Sequence, residues 1–141
     1  MKKYMKRFSY FILLFLSLNN ILFMKSLESN DFNNVKIISC YDGDTCTSSE
    51  GEKIRLACID TPEIRGNKVN LEQALLARDY LNSKVKGKSV VLKRITNDRY
   101  NRTVGELYKD KINIQELLYK KGLAKIYKKY AYQCSWTKKY M

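Results

Sequence analysis

The sequence predicts an α+β domain dominated by β structure, a five-stranded barrel with two or three helices packed on it. Five short strand-type runs divided by turn signals carry that expectation, together with two longer stretches that open on asparagine caps. No repeat or low-complexity tract competes with it, and 141 residues leave room for one such domain plus a targeting segment.

Residues 1–27 begin with the basic stretch Lys2 to Arg7, followed by an apolar run from Phe8 to Leu18 that Asn19 and Asn20 interrupt. This is the pattern of a signal peptide or an uncleaved signal anchor. Either outcome places the rest of the chain outside the cytoplasm, secreted or held at the envelope. Residues 28–34 are polar and read as a flexible lead-in, so the domain is expected over 35–141. Val35 to Ile38 opens the first strand, and Thr45 to Thr47 continues it after the Asp42-Gly-Asp44 turn. A second turn at Ser48 to Glu52 leads into Lys53 to Leu56. That strand is expected to run through Ala57, Cys58 and Ile59 until Pro62, which has no N–H to donate, stops it.

Asn70 with Gln73 forms a capping-box pattern, and Leu71, Ala74, Leu75, Leu81 and Val85 share the face of a helix that Gly87 ends. Lys88 to Ile95 and Val104 to Tyr108 read as strands on either side of a polar loop. Asn113 caps a second helix with Glu116 reciprocating, Ile112 stapling against Leu117 and Gly122 stopping it, and Leu123 to Tyr127 then runs extended.

The formal charge is +13, and removing the five cations of residues 1–27 leaves +8. That excess favours polyanionic partners. Histidine is absent, which excludes His-ligated metals, His general bases and every Ser-His or Cys-His nucleophile. Chemistry here must run on carboxylates, Arg, Lys, Tyr or a metal held by oxygen. The four cysteines lack the close pairing of a zinc site. Outside the cytoplasm they allow two disulfides in three connectivities, with buried free thiols as the alternative. Cys40 and Cys46 lie symmetrically about Gly43, so a hairpin there would set them opposite each other, and Cys58 with Cys134 would follow.

Two carboxylate clusters stand at strand ends. Asp44 and Asp60 are hard oxygen donors, supplemented by the Thr61 carbonyl, and such a set suits Ca²⁺ or Mg²⁺ rather than a soft metal. Asp42 is placed to orient a ligand or a bound water. Arg55 and Arg102, from a strand and from the loop Asn97 to Arg102, can grip one phosphate from two sides through planar, bidentate bonding that Lys cannot reproduce.

Asp42-Gly-Asp-Thr45, Arg55 with Ile59-Asp-Thr-Pro-Glu63, Asp98-Arg-Tyr-Asn-Arg102 and Gly122-Leu-Ala124 occur in that order. The set resembles the staphylococcal nuclease (thermonuclease) family from about Val35 to Tyr130. The resemblance implies an OB-fold barrel and a Ca²⁺-dependent, monomeric endonuclease without an obligate protein partner, leaving 3′-phosphate and 5′-hydroxyl products from DNA and RNA. It assigns the metal to Asp44, Asp60 and the Thr61 carbonyl, water activation to Glu63, and the scissile phosphate to Arg55 and Arg102. Arg99, Tyr100 and Tyr130 fall at substrate-contacting positions. Asn101 stands where the family usually has glycine, Lys128 where it has an aromatic, and relatives usually continue into a third helix. The rival reading is a non-catalytic nucleic-acid-binding OB-fold module, which has no need of Asp44, Asp60, Glu63, Arg55 and Arg102 together.

Overall fold

Burial alternates along Thr45–Ser48, along Lys53–Leu56 and at the start of Ser89–Asn97, which sets one face of each on the barrel core. The computed structural model describes residues 32–66 and 70–141, and the export segment read in 1–27 lies outside them. β1 (Phe32–Cys40), β2 (Thr45–Ser48) and β3 (Lys53–Leu56) form an antiparallel meander. β5 (Ser89–Asn97) pairs with β1 on one side and with β6 (Thr103–Lys109) on the other. A parallel pairing of β3 with β6 closes the five strands into an OB-fold barrel. β7 (Ile112–Asn113) adds to β6 outside it, and β4 (Ile59–Asp60) makes a separate ladder with β8 (Lys125–Ile126).

α1 (Leu71–Val85) starts where Asn70 Oδ1 accepts the Gln73 N–H, and it buries Ala74, Ala77, Leu81 and Val85. α2 (Ile114–Lys120) starts where Asn113 Oδ1 accepts the Glu116 N–H, and Gly122 at φ +71° follows its end. Ile37, Ile54, Leu56, Leu92, Leu107, Leu81 and Leu118 fill the core. Among the described residues no helix is long and apolar enough to cross a membrane.

Four expectations change. β1 starts at Phe32, because Phe32, Asn33 and Asn34 pair with Lys93, Leu92 and Val91; the end of the expected lead-in is strand. The apolar run after Leu56 does not continue as strand. Ala57 and Cys58 form a turn, with Cys58 at φ +64°, that separates β3 from β4. Glu116 does not reciprocate its cap: its carboxylate takes Lys139, Tyr140 and Lys120 instead. The two or three expected helices narrow to two among the described residues, and after Ile126 the chain forms two six-residue 3-10 turns, Lys128–Gln133 and Ser135–Tyr140. Glu116 holds the second of them, and Trp136 packs there at 6% exposure against Tyr119 and Tyr140.

Both cystines are closed, Cys40 with Cys46 and Cys58 with Cys134. The first joins residues that are also cross-strand partners in the β1–β2 ladder.

Candidate active site

The turn between β1 and β2 places Asp42 and Asp44 at the edge of the core, 8% and 5% exposed. Asp42 Oδ1 accepts the Asp44 N–H at 3.0 Å, which folds the turn on itself. Gly43 is required by close approach: a Cβ there would stand 2.7 Å from Ala77 Cβ and 2.9 Å from Thr61 Cβ. The turn is thus wedged between α1 and the segment after β4, and the Cys40–Cys46 bond closes its base.

Asp44 is the hub. Its Oδ2 accepts from the Thr61 hydroxyl at 2.9 Å and the Thr61 N–H at 3.2 Å, and it pairs with Arg55 Nη2 at 3.2 Å. Its Oδ1 accepts the Thr45 hydroxyl at 3.2 Å. Burial pushes its carboxyl up to about 7; Arg55 opposes that rise and the Asp42 carboxylate adds to it. Asp60 reaches the same Arg55 Nη2 at 3.6 Å from an exposed position. The Arg55 guanidinium is aimed by its own turn, with Nη1 donating to Leu56 O at 2.7 Å and Nη2 to Ile59 O at 3.1 Å.

Arg102 comes from the other side. Asp98 Oδ1 accepts the N–H groups of Tyr100 and Arg102, and Oδ2 accepts Arg102 Nε at 2.7 Å. Asn101 takes φ +59°, the left-handed conformation that asparagine tolerates better than most residues. Arg102 Nη1 lies 3.5 Å from Thr45 Oγ1, so Thr45 links the two halves. Arg99 stacks on the Tyr100 ring at 4.8 Å, and its Nη2 donates to the Tyr100 hydroxyl.

Arg55, Arg102, Arg99, Tyr100, Tyr127 and Tyr130 line one cleft of about 570 Å³. Asp60 and Thr61 line a smaller groove of about 280 Å³ with Gln73 of α1. The structure therefore gathers Asp42, Asp44, Asp60, Thr61 and Arg55 and sets Arg102, Arg99, Tyr100 and Tyr130 beside them. It does not bring in Glu63, which is exposed on the coil past Pro62 and outside the larger cleft. Sequence reasoning missed three features. The Thr61 hydroxyl holds Asp44, Thr45 bridges to Arg102, and Tyr127 and Lys129 join the cleft wall. The Asp-Thr pairs at 44–45 and 60–61 were visible signals for the first two; the wall had none.

Among the described residues no three Asp, Glu, Cys or His side chains gather as a ready-made metal cage. The donor set still fits Ca²⁺. A desolvated carboxylate has a second carboxylate beside it and one guanidinium to offset both, and every side-chain donor is oxygen.

The family model for staphylococcal nuclease homologues matches residues 53–141. An uncharacterized endonuclease of Haemophilus influenzae is 34% identical over 126 residues, 85% of this chain and 67% of that protein. One of Escherichia coli is 30% identical over 99 residues, 67% of this chain and 61% of that protein. A staphylococcal-like nuclease, CAN1, of Arabidopsis thaliana is 39% identical over 72 residues, covering 51% of this chain and 21% of that protein. The matches to the two bacterial relatives thus span a little under two thirds to two thirds of their length.

Proposed function

Because the chain belongs to the staphylococcal nuclease homologue family, we propose that it is an exported, Ca²⁺-dependent endonuclease that hydrolyses the phosphodiester bonds of DNA and RNA. The observation that carries the reading is the convergence on Arg55 Nη2 of buried Asp44 and exposed Asp60, next to a cleft shared with Arg102. Two carboxylates on one arginine, with a second arginine in the adjoining cleft, match what phosphoryl transfer needs, a cation site and a clamp for equatorial oxygens.

Asp44, Asp60 and the Thr61 carbonyl would hold the ion, which when bound polarises the phosphate and the attacking water. Arg55, fixed in plane by the carbonyls of Leu56 and Ile59, and Arg102, fixed by Asp98, offer N–H groups to the non-bridging oxygens as charge grows there. Glu63, exposed on the coil past Pro62, would have to turn towards the ion to take a proton from the water. Water attacks phosphorus and the bond to the 5′ oxygen breaks as that oxygen takes up a proton from solvent, leaving a 3′-phosphate and a 5′-hydroxyl. The larger cleft and the smaller groove give a strand room on both sides of the cut, which suits internal cleavage. Tyr100, Tyr130 and Arg99 supply faces for unstacked bases. Two closed cystines support folding in an oxidising compartment.

The test is digestion of plasmid and single-stranded oligonucleotides by purified protein with Ca²⁺ or with excess chelator, followed by end-group analysis. Ca²⁺-dependent internal cuts ending in 3′-phosphate are expected. Equal cleavage in chelator defeats the metal assignment, and tight binding without cleavage leaves a binding module.

A further inference from the structure

One wall of the larger cleft is a short 3-10 turn seated by the buried Ala131 and tied to the β3–β4 turn by one covalent bond. Tyr127, Lys129, Tyr130 and Gln133 line it, and the last three belong to the 3-10 turn Lys128–Gln133. That turn has six residues and no side-chain hydrogen bond at its N-cap, so its intrinsic stability is small. It enters from β8, whose two residues pair with β4, and is followed by Cys134. Against this wall, Cys58 occupies the turn between β3 and β4 at φ +64°, a backbone conformation that costs a non-glycine residue free energy. From there its sulfur bonds to Cys134, 76 residues on, and lies 3.3 Å from Tyr130 O, while its carbonyl accepts the Tyr127 N–H at 2.9 Å.

The same turn presents the Leu56 and Ile59 carbonyls that aim Arg55. Cys58 therefore joins the arginine side of the cleft to its tyrosine side. The rings there are set as a pair, Tyr127 edge-on to Tyr130 at 5.1 Å, with Lys129 Nζ 5.3 Å from the Tyr130 ring.

We propose that the Cys58–Cys134 disulfide is a positioning element for substrate, fixing the tyrosine wall opposite Arg55 and Arg102 so that grip on a single-stranded nucleic acid depends on that bond. The inference rests on the nucleic-acid reading of the cleft. It assigns the bond to binding and leaves the bond-breaking step to Asp44, Asp60, Arg55 and Arg102.

The full chain carrying Cys58→Gly with Cys134→Ala tests it. Glycine accepts the left-handed backbone without strain, so the carbonyls that aim Arg55 stay in place while the bridge is lost. Two readouts apply: anisotropy of a labelled single-stranded oligonucleotide in chelator, and steady-state cleavage. Kd and KM should each rise roughly tenfold, the order of one base–aromatic stack, while kcat falls less than about threefold. Unchanged Kd and KM overturn the proposal, as does a fall in kcat matching the fall in kcat/KM. Should the bridge variant unfold, Tyr127→Ala with Tyr130→Ala in the oxidised protein decides; affinity equal to the parent's overturns it. A parent that binds the oligonucleotide but never cleaves refutes the catalytic reading alone, and one that does not bind refutes both.

Discussion

Two turns that meet at Thr45 and Arg102 are built on the same device, an aspartate whose side chain accepts a backbone N–H two residues on. In the first, Asp42 takes the Asp44 N–H; in the second, Asp98 takes that of Tyr100. Their surroundings differ. The first turn is buried, closed by a cystine and wedged at Gly43 against Ala77 and Thr61. The second is held by its own hydrogen bonds and leaves Tyr100 at 64% exposure. Burial gives Asp44 one position and makes its charge costly, with Arg55 beside it to offset that cost; on the proposed reading, exposure gives Arg99 and Tyr100 room to meet varied bases. Asp44 sits where packing is tight, and Arg99, Tyr100 and Arg102 sit where it is looser.

Substitutions can break that division. The largest effect is expected from Asp44→Asn, which keeps the volume and the bonds from Thr61 while removing the charge. Turnover should fall by about 10³ or more in a plasmid-nicking assay, and a loss under tenfold would make the buried turn a mere scaffold. Arg102→Lys keeps the charge but loses the planar fork. A drop of about 10²–10³ in kcat with melting little changed is expected.

Cys40→Ser with Cys46→Ser opens the buried turn at its base. Chain entropy gives so short a loop about 2–3 kcal/mol at most, a melting shift of roughly 10 °C. Calorimetry should show that shift and assays below the transition a lower kcat, where loss of Cys58–Cys134 raises KM. Identical kinetic signatures for the two cystines would erase the distinction.

The smallest effect concerns Glu116, whose carboxyl is held down to about 2 from its ordinary 4.5 by the Lys139 ammonium first, then by the Tyr140 hydroxyl and Lys120. A depressed folded pKa gives stability that is complete above pH 4.5 and lost as pH falls towards 2. Glu116→Gln should lower the melting temperature slightly near pH 7 and flatten the profile between about pH 4.5 and 2, so that the two proteins converge at the acid end. Two exposed lysines keep the effect small.

The buried turn was legible in the sequence because its constraints are local. Asp-Gly-Asp with symmetric cysteines can fold few ways, and both asparagine caps announced their helices in the same manner. The tyrosine wall was legible only in part: Tyr130 and the Cys58–Cys134 pairing were expected, Tyr127, Lys129 and the turn at Cys58 were not. Leu56 to Ile59 are apolar in succession and read as strand, and nothing local marks Cys58 for a left-handed turn; its partner lies 76 residues away. Glu116 matched a capping box, yet three groups around it, two of them in the last turn, compete for its carboxylate. Long-range pairing decided both cases.

Trp136 is the chain's one tryptophan, and among the described residues its indole N–H is a buried side-chain donor without an acceptor. An indole lodged among tyrosine rings and away from hydrogen-bonding solvent emits at short wavelength and receives excitation from its neighbours. Release of the last 3-10 turn would expose it to water while the barrel strands remain paired. The protein thus carries an intrinsic optical reporter whose colour follows the seating of its C-terminal turn, independently of the strand signal in circular dichroism.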